Sequence, residues 1–126
     1  MTQLNDNLQD NFKIKMTEVD IILPNYNKGN YIEEAIESIL DQTFKDFHLF
    51  IIDDNSTDQS KEIIKKYTDN RITHIQLNRN KGVYFCRNFG MRISNSKYIS
   101  FIDSDDYWEK NKIEKQINFM RKFKHK

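Results

Sequence analysis

From Val19 onward the chain alternates two periodicities four times, an apolar run followed each time by a stripe at helical spacing. Val19-Asp20-Ile21-Ile22-Leu23 predicts a strand closed by Pro24, the only proline. Ile32, Ala35, Ile36, Ile39 and Leu40 then recur at the spacing of one buried helical face, and Asn30 three residues before Glu33 predicts a capping box. Leu49-Phe50-Ile51-Ile52 is a continuous apolar run, as expected of a strand covered on both faces. A helix from Asp58 burying Ile63, Ile64 and Tyr67 follows, then a less buried strand from Ile72 to Leu77. A stripe through Val83, Cys86, Phe89, Gly90 and Ile93, a strand over Tyr98–Ile102 and a helix marked by Ile113, Ile117 and Met120 complete the order. This alternation predicts an α/β domain, a Rossmann-like and mostly parallel sheet with alternating helices and right-handed crossovers. Ligands of such sheets bind at the carboxyl ends of the strands, where strand order reverses.

The 126 residues suit one domain, expected over residues 18–126, with residues 1–17 read as a polar, Asn-rich, mobile leader. A net charge of +1 gives no global field for nucleic acid, so charge-based function is local. The single cysteine, Cys86, excludes an internal disulfide and a cysteine-built zinc site, suits a reducing cytoplasm, and falls on an apolar stripe where core packing is expected. No stretch approaches the ~20 apolar residues of a membrane span.

Three strand ends on one edge of the predicted sheet carry polar loads: Pro24-Asn25-Tyr26-Asn27, Asp53-Asp54-Asn55-Ser56-Thr57-Asp58, and Asp103-Ser104-Asp105-Asp106. Each alone suits a turn or a helix cap, but their convergence predicts a binding site. Carboxylates in so tight a group suit a hard cation such as Mg²⁺ or Mn²⁺ held together with substrate phosphates. The three glycines, Gly29, Gly82 and Gly90, form neither dinucleotide nor P-loop patterns, so a diphosphate bound here needs a metal to carry its charge. Arg87, one residue off its helical stripe, is either a phosphate or base contact or a surface arginine.

Pro24-Asn25-Tyr26-Asn27, Ile52 through Asp58, Lys81-Gly82 with Arg87-Asn88, and Phe101 through Asp106, in that order, resemble the N-terminal half of family 2 glycosyltransferases of GT-A fold. The resemblance covers about Val19 to Trp108. It implies binding of a nucleotide sugar, most often a UDP-sugar, with Mn²⁺ or Mg²⁺, for inverting transfer to a hydroxyl of a glycan or lipid-linked acceptor in polysaccharide synthesis. By position it places Pro24 and Tyr26 beside the uracil, Asp54 on the uracil N3 and Arg87 near the nucleotide. Asp103 is placed on the ribose or sugar, and Asp105 or Asp106 on the metal. Such an enzyme is expected in the cytoplasm, peripheral at the inner face of the membrane.

Family members continue past these motifs to a catalytic Asp or Glu that deprotonates the acceptor. Glu109 and Glu114 read instead as helix-start residues, so no catalytic residue is assigned within the chain. The alternative expectation is therefore a truncated or split enzyme that binds nucleotide without turnover. Trp108, Phe119 and Phe123 lie in the final segment with little sequence left to cover them, which predicts an apolar surface available for self-association or a C-terminal half.

Overall fold

The computed structural model describes residues 16–124. Of the leader expected over residues 1–17, only Met16 and Thr17 fall within that range, and Thr17 is buried. Eight elements alternate: β1 (Val19–Asn25), α1 (Ile32–Leu40), β2 (Phe47–Asp53), α2 (Ser60–Lys65), β3 (Ile72–Gln76), α3 (Val83–Ile93), β4 (Tyr98–Phe101) and α4 (Lys112–Lys124). The strands form one sheet of order β3-β2-β1-β4 with every neighbouring pair parallel, the α/β architecture predicted from the alternation.

Both central strands are buried along their whole length, which is why they read as nearly continuous apolar runs. Ile21, Leu23, Leu49 and Ile51 point to one face, covered by Ile36 and Ile39 of α1, Ile64 of α2 and Ile113 and Ile117 of α4. Ile22, Phe50 and Ile52 point to the other, against Cys86 and Ile93 of α3. α3 lies close on β1 because residue 90 is glycine: a Cβ there would stand 2.5 Å from Ile22 Cγ2. Asp20, a fully buried carboxylate on β1, accepts hydrogen bonds from Ser94 Oγ (2.6 Å) and Thr17 Oγ1 (2.8 Å).

Strand order reverses beside β1, since β2 and β3 build outward on one side and β4 returns to the other. Pro24 sharpens that divide. β1 continues through Pro24 to Asn25 on the β2 side, where Pro24 lies opposite Ile52, rather than ending at Leu23. On the β4 side the ladder stops after Ile102 N–H donates to Ile22 O, because Pro24 has no N–H for the next rung. The two strands part there.

Two further expectations fail. Asn30 is not part of a capping box: its side-chain oxygen accepts from Gln59 Nε2, and α1 starts after Tyr31 with no side-chain cap. Trp108 is not uncovered, because the segment before α4 folds back on α1, burying the indole and donating Trp108 N–H to Ser38 Oγ. Phe119 and Phe123 do remain exposed.

Candidate functional site

The gap opened between β1 and β4 is a cleft of about 440 Å³. Pro24, Tyr26 and Lys28 line it from β1 and its following loop, Asp54 from the end of β2, and Asp103 and Asp105 from the end of β4. It lies at the reversal point of the sheet, where strand-end loops diverge and leave room for a ligand.

Asp53 at the end of β2 holds the three adjoining loops together. Its carboxylate is fully buried and accepts from Asn25 Nδ2 (2.8 Å), Ser56 N (2.8 Å), Ser56 Oγ (2.7 Å) and Gln76 Nε2 (3.2 Å). Asn27, at φ 54°, adopts the left-handed conformation that Asn tolerates, and its Oδ1 accepts from Thr57 N and Asp58 N. Gly29 N donates to Asp58 Oδ2 at 2.8 Å. Burial pushes the Asp58 carboxyl up, but hydrogen bonds from Ser60 and from Gly29 N–H outweigh it and hold the group below the usual carboxylate range. The β1–α1 loop is thus sutured to the β2–α2 loop before any ligand arrives.

Asp54 is buried, and each of its oxygens is engaged: Lys81 N donates to Oδ1 (2.7 Å) and Gly82 N to Oδ2 (2.8 Å). This requires Gly82 at φ 97°, a conformation open to glycine. Arg87 Nη2 reaches Asp103 Oδ1 at 3.0 Å, so those two residues meet directly. Lys28 Nζ stands 3.6 Å from Asp105 Oδ2. Asp106 sits apart: its N–H closes a turn onto Asp103 O, its Oδ1 accepts from Tyr107 N, and it lines a separate depression with Trp108 and Lys112.

Among the described residues no three His, Cys, Asp or Glu side chains converge to hold a metal by themselves. Asp103 and Asp105 do present hard oxygen donors to the cleft. That sparse set fits Mg²⁺ or Mn²⁺ only with phosphate oxygens completing the shell, the usual arrangement for Mg²⁺ at a nucleotide. Cys86 lies beneath the cleft floor as a core residue, its thiol pushed up to about 12 by burial and by the charges of Asp54 and Asp53, which removes it as a nucleophile. Glu114 accepts from Thr43 Oγ1 at the start of α4, and neither it nor Glu109 lines the cleft. A larger groove of about 800 Å³ runs between β4 and α4, but its lining includes no carboxylate.

Pro24, Tyr26, Asp54, Asp103 and Asp105 therefore converge on one cleft, with Arg87 reaching its wall and Asp106 outside it. Lys28 and Asn80 also line the cleft, and the sequence assigned a role to neither of them, nor the organising role to Asp53. A lysine or asparagine in a loop carries no periodicity, and a fully buried carboxylate satisfied by neutral donors is visible only in the fold.

The sequence model of the family described as Glycosyl transferase family 2 matches residues 20–125. The chain is 45% identical over 105 residues to the UDP-Glc:alpha-D-GlcNAc-diphosphoundecaprenol beta-1,3-glucosyltransferase WfaP of Escherichia coli, an alignment covering 83% of this chain and 42% of that protein. An uncharacterized glycosyltransferase of Rickettsia felis is 48% identical over 107 residues, 82% of this chain and 17% of its own length. The chain thus spans less than half the length of each of these relatives. Among solved structures, S. aureus TarS 1–349 in complex with UDP-GlcNAc superposes with a TM-score of 0.78 at 31% identity, covering 83% of this chain and 31% of that one.

Proposed function

The chain belongs to glycosyl transferase family 2, and on that premise we propose that its β1–β4 cleft binds the nucleotide diphosphate of a sugar donor, a UDP-sugar first of all. The observation that carries this is the convergence of Pro24, Tyr26, Asp54, Asp103 and Asp105 at the reversal point of a parallel sheet. WfaP is named for a UDP-Glc donor and TarS forms a complex with UDP-GlcNAc, which supports a uridine donor here. In this reading Pro24 and the exposed ring of Tyr26 flank the base and Asp54 accepts from its N3–H. Arg87 and Asp103 bound the ribose side. Asp105, rather than Asp106, holds Mg²⁺ or Mn²⁺, because it alone of the two lines the cleft.

The activity so served is inverting transfer of the sugar to a hydroxyl of a glycan or lipid-linked acceptor in cell-surface polysaccharide synthesis. A bound divalent cation would supply Lewis-acid relief of charge on the departing diphosphate. The chain's own residues bind and orient the donor, and the sutured loops keep that geometry fixed. No helix among the described residues is long and apolar enough to cross a membrane. From the relatives' part in cell-surface polysaccharide synthesis, we place the reaction on the cytoplasmic side, peripheral to the membrane. Nucleotide binding without turnover is the second reading: among the described residues the carboxylates that line the cleft are Asp54, Asp103 and Asp105, each of which the first reading gives to the donor or its metal.

Calorimetry with UDP in Mn²⁺ and then in chelator tests the binding step. Affinity present with Mn²⁺ and largely lost with chelator is expected, whereas equal affinity in both would rule out the metal bridge and absence of UDP binding would remove the reading. Release of UDP from a panel of UDP-sugars separates transfer from binding alone.

A further inference from the structure

We propose that Lys28 is a built-in stand-in cation for Asp105, exchanged for a divalent metal when the nucleotide's diphosphate draws the ammonium away. The proposal rests on the reading of the cleft as a nucleotide-diphosphate site and adds to it a residue and a coupling between ligands. Lys28 lines the cleft opposite Asp105, with Nζ 3.6 Å from Asp105 Oδ2. Both side chains are about half exposed, at 46% and 49%, so the pair is weak enough to open when a stronger partner appears. The lysine's backbone is not free to follow another partner. Its carbonyl accepts from Tyr31 N and Ile32 N at the start of α1, while its neighbours Asn27 and Gly29 are bonded to Thr57 and Asp58 across the loop suture. A Cβ on Gly29 would stand 2.5 Å from Gln59 Cδ, so the two loops are in close contact at that point. The ammonium therefore swings on a fixed base, between the carboxylate across the cleft and whatever anion enters the cleft.

Two positive groups do not share one carboxylate oxygen at low cost. While Lys28 holds Asp105, a metal entering alone must displace the ammonium without compensation. A diphosphate offers Lys28 two or more anionic oxygens, frees Asp105 and supplies the metal's remaining ligands at once. Nucleotide and metal should then bind with positive coupling, and by thermodynamic reciprocity each should tighten the other to the same degree. Arg87 pairs instead with Asp103, which the proposed reading assigns to the ribose side.

The experiment compares the wild-type chain with Lys28→Met, which keeps the aliphatic stem and removes the charge. Mn²⁺ binding is followed by electron paramagnetic resonance without nucleotide, and uridine and UDP binding by calorimetry. The expected result is Mn²⁺ bound roughly 3-fold more tightly in the variant without nucleotide, as for release of an exposed ion pair. UDP binding should fall about 10-fold or more, uridine binding should be unchanged, and the metal–UDP coupling should shrink. Unchanged Mn²⁺ affinity in Lys28→Met, or unchanged UDP affinity, would overturn the exchange. A wild-type chain that binds no UDP would instead overturn the nucleotide reading, and the Mn²⁺ arm would still decide whether Lys28 holds Asp105.

Discussion

At the scale of single residues, the cleft divides its carboxylates between two tasks. Asp54 is buried and already accepts two backbone N–H groups, so it organises the loop before α3 as well as lining the cleft. Asp54→Ala should weaken uridine binding by ~1–3 kcal/mol with or without metal, and also lower the melting temperature, since Lys81 and Gly82 lose their acceptor. Asp105→Ala should spare free uridine, weaken UDP in Mn²⁺ and leave the fold intact, because Asp105 is half exposed and its side chain pairs with a similarly exposed Lys28. Calorimetry and thermal melts on both variants check the division, and equal loss of uridine in the two would refute it. Cys86 gives a simpler test: its buried thiol should resist labelling in the native protein and react once denaturant unfolds it.

Between elements, the decisive contacts are close approaches and the suture of loops. Gly90→Ala adds a methyl at 2.5 Å from Ile22 Cγ2 where α3 lies on β1. Alanine gains up to ~1 kcal/mol of helix propensity over glycine, but overpacking of a filled core costs ~1–3 kcal/mol, so a net loss of stability is expected in urea unfolding. An unchanged midpoint would mean that α3 lifts from the sheet without penalty. The suture predicts acid lability. Asp58 titrates below its unfolded value, so its contribution is fully present above about pH 4 and is lost as pH falls through the lower folded value. Thermal melts from pH 6 down to 2 should show this decline, and Asp58→Asn should flatten that part of the profile.

Across the whole molecule, the two edges of the sheet differ. Neither edge strand has an outer partner among the described residues, but β3 is mostly half-buried, whereas β4 alternates half-buried and exposed residues. Beside it, Ile99, Phe101, Phe119, Met120 and Phe123 are exposed around the groove of about 800 Å³. Apolar surface of this kind, next to unpaired strand backbone, marks an interface or an association hazard. The protein should therefore bind a hydrophobic dye in the native state and self-associate with rising concentration. Phe119→Glu together with Phe123→Glu should reduce both with at most a small fall in the melting temperature, because the two rings are about half exposed or more and rest against each other. Light scattering and dye fluorescence read this out, and a dye-silent monomer at high concentration would contradict it.

The sequence alone determined the order and type of the eight elements, because each apolar stripe is a local property of a dozen residues and records which faces are buried. It also determined that polar loads at the ends of β1, β2 and β4 share one edge, since parallel strands with helical crossovers permit no other arrangement. Only tertiary structure decided which loads meet. Asp105 lines the cleft while Asp106, one residue on, turns away, and no periodicity distinguishes neighbours within a turn. Pairing of Arg87 with Asp103 and of Lys28 with Asp105 required the strand order that sets β4 beside β1. The covering of Trp108 by α1 and the use of Asn30 by Gln59 were undecidable for the same reason. These contacts join residues far apart in the chain, and their energies come from packing and hydrogen-bond geometry that a local pattern does not contain.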